Sequence, residues 1–159
     1  MERFGLFLDL DDALYDWRAM ISFVHEHMES LGFQRERVLS AMDELNDTGY
    51  SFEAHLAALG VSEDDIPTHV ALYAQHIGDG ERFLYPGAVE LVRGLTGVWK
   101  AGLVTFGFQP YQRLKWGGLS CLHDRFAHTD FVHGDLSKGQ VIAGYASRYD
   151  RFVFVDDSP

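Results

Sequence analysis

Short apolar runs alternate with amphipathic stretches along this chain, and the two patterns predict strands and helices respectively. Residues 4–10 (FGLFLDL) are apolar on both faces, as is typical of a parallel strand buried between helices. Further apolar runs at 99–107 and 151–157, and a shorter one at 125–132, predict three more strands. Helical patterns separate these runs from residue 84 onward, so the chain is expected to be an α/β protein with an open parallel sheet.

A long helical segment interrupts this alternation directly after the first strand. The spacing of its apolar residues predicts four helices, over residues 13–31, 35–46, 51–59 and 62–77. No convincing strand pattern lies between them. The sequence therefore predicts a parallel-sheet core formed by residues 1–14 and 84–159, and an all-helical insertion formed by residues 15–83.

Composition narrows the class of protein. With 159 residues, of which 47% are hydrophobic, the chain is long enough for one globular domain with an insertion. A net charge of −11 argues against a nucleic acid or an anionic membrane surface as the main partner. The single cysteine, Cys121, excludes an intrachain disulfide and fits a cytoplasmic location. The N-terminal apolar run is too short for a signal peptide, and no segment approaches the length of a membrane span.

Acidic residues stand where two of the apolar runs end. Asp9 and Asp11 close the first run, and Asp156 and Asp157 close the last. The carboxyl ends of parallel strands form the usual ligand site of an open α/β sheet, so these side chains are expected to converge if the strands are neighbours. Uncompensated carboxylates would raise one another's pKa and cost stability, and a divalent cation would resolve this conflict. Oxygen ligands of this kind suit Mg²⁺.

Taken in order, four motifs resemble those of the haloacid dehalogenase superfamily, in its phosphatase branch. DLDDALYD at 9–16 resembles the first motif, and Thr105, at the end of the second strand, resembles the second. Lys138, near a predicted helix start, resembles the third, and FVDDSP at 154–159 resembles the fourth. The helical insertion resembles the mobile cap of that family. The resemblance covers essentially the whole chain and implies a Rossmann-like core with an all-helical cap domain.

The resemblance also implies a role for each residue. Asp9 would be the nucleophile that forms an aspartyl-phosphate, and Asp11 would be the general acid and base. Thr105 would bind a phosphoryl oxygen, with the backbone amide of Phe106 beside it, and Lys138 would offset the charge of the nucleophile and the phosphate. The ligands of Mg²⁺ would be Asp9, Asp11 through its backbone carbonyl, Asp157, and Asp156 as a second ligand or as the holder of a metal-bound water.

The predicted function is Mg²⁺-dependent hydrolysis of a small phosphomonoester. A carboxylate at position 11 favours phosphate chemistry over carbon–halogen cleavage, because a halide leaves without a proton. One alternative is a phosphomutase, for which His25 or His27 would supply acid–base chemistry. Another is a non-catalytic or truncated binding module, suggested by Ala13, by Phe106 and by the chain end at Pro159. The last strand would then be an exposed edge, in a fragment or in an oligomer that covers it.

Several other polar residues are expected to have ordinary structural roles. Asp12 is predicted to lie at a helix start, where the helix dipole favours an acid. Lys115 is predicted to lie on a solvated helix face, and the eight histidines are predicted to be surface or helix-capping residues. Tyr15, Trp17 and Phe23 form an aromatic stripe that is more typical of core packing than of a substrate pocket.

Overall fold

One parallel sheet organises the chain. The computed structural model describes residues 2–46 and 50–157. Ser158 and Pro159, the last two residues of the fourth motif, therefore lie outside the described residues. The strands are β1 (Phe4–Leu8), β2 (Trp99–Phe106), β3 (Phe126–Val132) and β4 (Arg151–Val155). Their order in the sheet is β3-β2-β1-β4, and all the pairings are parallel. Because β1 pairs with both β2 and β4, the carboxyl ends of these three strands lie at the same edge.

Helices occupy the segments between the strands. Four follow β1 in the helical insertion, namely α1 (Trp17–Ser30), α2 (Arg35–Asn46), α3 (Phe52–Leu59) and α4 (Ile66–Gly78). Three more are α5 (Ala88–Gly94), α6 (Gln109–Gly117) and α7 (Lys138–Ala143), with short 3₁₀ segments at Gly80–Phe83 and Ser120–Arg125. The described residues between α1 and α4 contain no strand, in line with the predicted helical insertion. Its action as a mobile cap stays a prediction, as does the division into two domains. None of the helices in the described part of the chain has the length and apolar character needed to cross a membrane.

Both faces of the two central strands, β1 and β2, are buried, as their apolar sequences predict. Leu8 and Leu103 pack into the larger core, which the helical insertion shares. Their neighbours Phe7 and Val104 point to the other face and pack against α7. A Cβ at Gly102 would lie 2.6 Å from the Phe7 ring, so a glycine is required at the point where this ring crosses β2.

Residues 10–16 form a turn. The first helix was predicted to begin at residue 13, so the prediction was wrong for residues 13–16. The Asp16 side chain accepts a hydrogen bond from the Ala19 amide at 2.8 Å, so α1 begins only at Trp17. Asp12 has a φ of 54°, in the left-handed region, and therefore does not lie at a helix start. The periodicity misplaced this boundary because the turn is held by a distant segment: the Asp16 amide donates to the Phe83 carbonyl at 2.7 Å.

The edge strand β4 exposes apolar side chains. Phe152, Val153 and Val155 are each more than two-fifths exposed. The sequence predicted such an edge, and an oligomer that covers it stays a prediction.

Candidate active site

Acidic side chains meet at the carboxyl ends of β1 and β4. These two strands are paired in register, with Leu8 opposite Val155, and the Asp9 amide donates to the Val155 carbonyl at 3.0 Å. This register brings the next residues of both strands together. Asp9, Asp156 and Asp157 each offer a carboxylate oxygen within 4.8 Å of the others. Of the four acids predicted to converge, the structure therefore brings together the side chains of three, and Asp11 is the exception.

Asp9 lies at the centre of this cluster and is only 4% exposed. Its Oδ1 accepts a hydrogen bond from the Leu10 amide at 2.7 Å, and its Oδ2 accepts one from Lys138 Nζ at 2.6 Å. Burial raises the pKa of Asp9 to about 6, although the hydrogen bond and charge of Lys138 act in the opposite direction. Asp9 is thus a fixed, poorly solvated carboxyl group whose ionised form depends on nearby positive charge.

Lys138 supplies part of that charge. It is the first residue of α7, whose start is fixed by a capping box between Ser137 and Gln140. Its Nζ donates to Asp9 at 2.6 Å and to Asp156 at 2.8 Å. Burial by itself would lower the pKa of Lys138, but the hydrogen bonds and charges of the two carboxylates outweigh burial and raise it. The lysine is therefore a cation held between two acids, where it can also meet an anionic ligand.

The Thr105 hydroxyl is a second feature that points to a ligand. Thr105 stands near the end of β2 and is 1% exposed. It lies near enough to Asp9 to oppose the rise in that residue's pKa, yet its Oγ1 has no hydrogen-bond partner of normal geometry among the described residues. A buried hydroxyl without a partner costs free energy, so this atom is suited to a ligand oxygen. The side chain of Phe106, the next residue, is 52% exposed.

Asp11 has different partners from the other acids. Both of its carboxylate oxygens accept hydrogen bonds from Lys115 Nζ at 2.8 Å, and Oδ2 also accepts one from Gln112 Nε2 at 2.8 Å. Lys115 is only 4% exposed, so the prediction of a solvated helix face was wrong. The face of α6 that carries Tyr111, Gln112 and Lys115 packs inward, toward the segment that follows β1. Sequence reasoning missed this pair because its only signal is the spacing of those three residues along one helix face.

Two residues of the helical insertion, His25 and His27, were proposed as acid–base groups of a phosphomutase, and neither lines the two cavities beside the strand ends. His25 is 7% exposed and its Nε2 has no partner among the described residues, while His27 Nε2 lies 2.9 Å from His69 Nδ1. Burial lowers the pKa of both His25 and His27. His55 is fully buried and bonds the Val38 carbonyl. The prediction that all the histidines are surface or capping residues was therefore wrong.

Two cavities are bordered by acids that follow the strand ends. One, of about 600 Å³, is lined by Asp157 together with Asp12, Asp16 and Tyr85. Within it the Tyr85 hydroxyl donates to Asp12 at 3.0 Å, which gives Asp12 a partner in the turn. The other cavity, of about 590 Å³, is bordered by Asp11 and by residues of α1, α4 and α6. Asp157 thus borders the first cavity and Asp11 borders the second.

The donor set fits a magnesium ion. Asp9, Asp156 and Asp157 supply only carboxylate oxygens, the ligand type that Mg²⁺ prefers. When ionised, these three acids carry more negative charge than Lys138 can balance. A divalent cation would compensate this excess and would favour the ionised form of Asp9.

Solved structures resemble this chain, although no protein-family profile matches it and no curated protein sequence matches it significantly. A haloacid dehalogenase-like family hydrolase from Xanthomonas campestris matches 98% of this chain and 73% of its own, with a TM-score of 0.68 and 18% identity. A hydrolase of the same type from Bacillus subtilis, bound to magnesium, matches 82% of this chain and 64% of its own, with a TM-score of 0.54 and 18% identity. L-2-haloacid dehalogenase from Xanthobacter autotrophicus, with chloropropionic acid covalently bound, matches 97% and 69%, with a TM-score of 0.58 and 15% identity.

Proposed function

We propose that this chain, which has the haloacid dehalogenase-like fold, is a Mg²⁺-dependent hydrolase of small phosphomonoesters that reacts through an aspartyl-phosphate on Asp9. The observation that carries the proposal is the local environment of the Asp9 side chain. This carboxyl group is buried at a strand end, is bonded to the Lys138 ammonium, and lies near Asp156, Asp157 and Thr105, whose hydroxyl has no hydrogen-bond partner of normal geometry among the described residues. Such a site offers a nucleophile, a metal position and donors for phosphoryl oxygens.

The residues that would hold Mg²⁺ are Asp9, Asp156, Asp157 and the backbone carbonyl of Asp11. When bound, the ion would supply the positive charge that lets an anionic substrate approach an anionic nucleophile. The Thr105 hydroxyl and the Lys138 ammonium would bind phosphoryl oxygens and stabilise the charge that develops on them.

In the first step, a carboxylate oxygen of Asp9 would attack phosphorus while the bond from phosphorus to the leaving oxygen breaks. The leaving oxygen would keep the bonding electron pair and take a proton from Asp11. In the second step, Asp11 would accept a proton from a water molecule, which attacks the aspartyl-phosphate and releases inorganic phosphate. Both Asp11 oxygens are bonded to Lys115, so one of these bonds must be exchanged for a bond to the leaving oxygen.

Carbon–halogen cleavage is the main competing chemistry, because one similar structure is a dehalogenase. Asp11 favours phosphate chemistry here. A carboxylate two residues after the nucleophile has a use when the leaving group needs a proton, whereas a halide does not. Halide release from a 2-haloacid, without phosphate release from any ester, would reverse this choice.

An assay of phosphomonoesters with Mg²⁺ tests the proposal. Asp9→Asn should reduce phosphate release by about a thousandfold or more, because an amide is a poor nucleophile toward phosphorus. The matched control is Asp150→Asn, since Asp150 is exposed and precedes β4 at the opposite end of the sheet. Equal activity of the Asp9→Asn variant and the parent would remove Asp9 as the nucleophile.

The two alternatives predict different outcomes in the same assay. A phosphomutase would accumulate a bisphosphate in place of free inorganic phosphate. A non-catalytic module would release no phosphate from any ester and would show no change in thermal stability with Mg²⁺.

A further inference from the structure

The cavity bordered by Asp11 is built mainly from apolar and aromatic side chains. Its main walls are Trp17 and Met20 of α1, Tyr73 of α4, and Phe108 and Tyr111 at the start of α6. Asp11 and Phe106 also line it; Asp11 is two residues after the predicted nucleophile Asp9, and Phe106 directly follows Thr105, the predicted phosphate-binding residue. The cavity therefore opens beside the position where a phosphoryl group would be bound, on the side where the leaving group would lie.

The hydroxyl groups of two tyrosines in the wall are already engaged. The Tyr73 hydroxyl donates to Met20 Sδ at 3.8 Å, and the Tyr111 hydroxyl donates to Glu53. Tyr73 and Tyr111 also pack edge to face, with ring centroids 5.1 Å apart. What these two residues offer to an occupant is therefore the apolar surface of their rings.

The mouth of the cavity exposes two more aromatic rings. Phe106 is 52% exposed and Phe108 is 45% exposed, although Phe106 ends the buried strand β2 and Phe108 follows it closely. Exposed phenyl surface in water is unfavourable, and an apolar ligand that covers these rings would gain the corresponding free energy. Exposed aromatic surface at the mouth of an apolar cavity is typical of a binding site.

The charged residues of the wall disfavour a leaving group that carries a second anionic group. Lys115 is the only lysine or arginine among the residues that line this cavity, and its ammonium bonds both oxygens of Asp11. Among the described residues, the wall therefore lacks an uncommitted lysine or arginine that could bind a second phosphate or a carboxylate on the leaving group; its remaining basic side chain is the exposed His133.

We propose that this cavity binds the leaving group of the substrate, and that this group is an uncharged alcohol carrying an aromatic or bulky apolar substituent. The inference rests on the proposed phosphatase function and adds the substrate class to it. It predicts a preference for arylalkyl phosphates over short alkyl phosphates and over phosphates that carry a carboxylate.

A matched substrate pair tests the preference. 2-Phenylethyl phosphate and ethyl phosphate both release a primary alcohol, so the phenyl ring is their main difference. Burial of that ring should raise kcat/KM on the order of thirtyfold. Phosphoglycolate should be no better a substrate than ethyl phosphate, because the described wall offers its carboxylate no lysine or arginine that is not already paired.

A pair of variants locates the effect. Phe108→Ala removes a ring at the cavity mouth and should reduce the preference for the phenyl substrate severalfold. Phe152→Ala is the control, because Phe152 is 42% exposed but lies on β4 and does not line the cavity. An unchanged preference in Phe108→Ala, or an equal loss in Phe152→Ala, would contradict the assignment of the cavity.

Binding of non-hydrolysable phosphonates separates this inference from the proposed function. Calorimetry in the presence of Mg²⁺ should show 3-phenylpropylphosphonate binding about thirtyfold tighter than propylphosphonate. If this preference is found but no ester is hydrolysed, the cavity assignment stands and the proposed activity is wrong. If esters are hydrolysed but neither the phosphonates nor the esters are discriminated, the activity stands and the substrate class is wrong.

Discussion

At the scale of single residues, the charged side chains buried near the strand ends give the sharpest predictions about stability and activity. Lys115 and Asp11 form an ion pair that is almost completely enclosed, with side chains 5% and 18% exposed. Lys138 forms a second such group with Asp9 and Asp156. Buried charges are tolerated only when they are paired, so each partner becomes a structural requirement of the other.

Lys115→Met should destabilise the fold, because it leaves the Asp11 carboxylate without its ammonium partner. Removing one member of a buried ion pair costs about 3 kcal/mol or more in the free energy of unfolding. Urea denaturation measures this difference. Lys100→Met is the control, because Lys100 lies exposed on β2, and its midpoint should change little. Equal midpoints for the two variants would contradict the importance of the Lys115–Asp11 pair.

Thr105→Val should separate stability from activity. The valine keeps the shape of the side chain and removes a buried hydroxyl that has no hydrogen-bond partner of normal geometry among the described residues, so the free energy of unfolding should stay the same or rise by about 1 kcal/mol. Phosphate release should fall, because the proposed bond to a phosphoryl oxygen is lost. Thr129→Val, at an exposed position of β3, should leave phosphate release unchanged. Destabilisation by Thr105→Val would mean that the hydroxyl has a structural partner.

At the scale of elements, each helix of the insertion contributes to packing that is sensitive to protonation. His76 of α4 stacks on Phe23 of α1, and burial together with the charge of Arg82 lowers the pKa of His76 to about 4. His55 of α3 bonds the Val38 carbonyl of α2, and burial lowers its pKa as well. These contacts join helices to one another through neutral imidazoles.

Acidification should therefore destabilise the helical insertion. A histidine whose pKa is lower in the folded than in the unfolded state contributes stability above pH 6.5, and this contribution is lost as the pH falls toward the folded value. For His76 that window runs from pH 6.5 to about 4. The thermal midpoint should fall over this range, and it should fall less in His76→Gln. His123→Gln, at an exposed position, should follow the parent; if His76→Gln also follows the parent, His76 does not carry the effect.

At the scale of the whole molecule, the sheet order determines where the site lies. β1 is central and β4 pairs with it, so residues separated by nearly the whole chain meet at one edge. The acids of that edge are suited to a shared cation, which would link the two strands that carry them.

Mg²⁺ should raise the thermal midpoint of the protein, because a ligand that binds only the folded state stabilises it. The gain is about 2.7 kcal/mol at a free concentration one hundred times the Kd. Asp157→Asn should abolish most of the shift, since it removes one of the carboxylates of the cluster. Asp150→Asn should keep the full shift. An unchanged shift in Asp157→Asn would place the metal elsewhere.

Much of the fold followed from local pattern. The prediction of an α/β protein with a parallel sheet and a haloacid dehalogenase-like architecture is confirmed by the structure and by its similarity to solved structures. Strand positions, the helical insertion and the acids at the strand ends were all predictable, because alternation of apolar and polar residues reports burial directly. The roles assigned to Asp9, Thr105 and Lys138 stay predictions, and their burial and contacts make them testable.

What the sequence determined by itself is the set of elements and the chemistry placed at their ends, since both depend on residues that are close in the chain. Only the tertiary structure decided that Lys115 is the partner of Asp11, a residue 104 positions away, that Asp12 lies in a left-handed turn, and that aromatic rings from four elements line one cavity. These features depend on contacts between distant segments. Packing of the whole chain determines those contacts, and they cannot be predicted from the local pattern of apolar and polar residues.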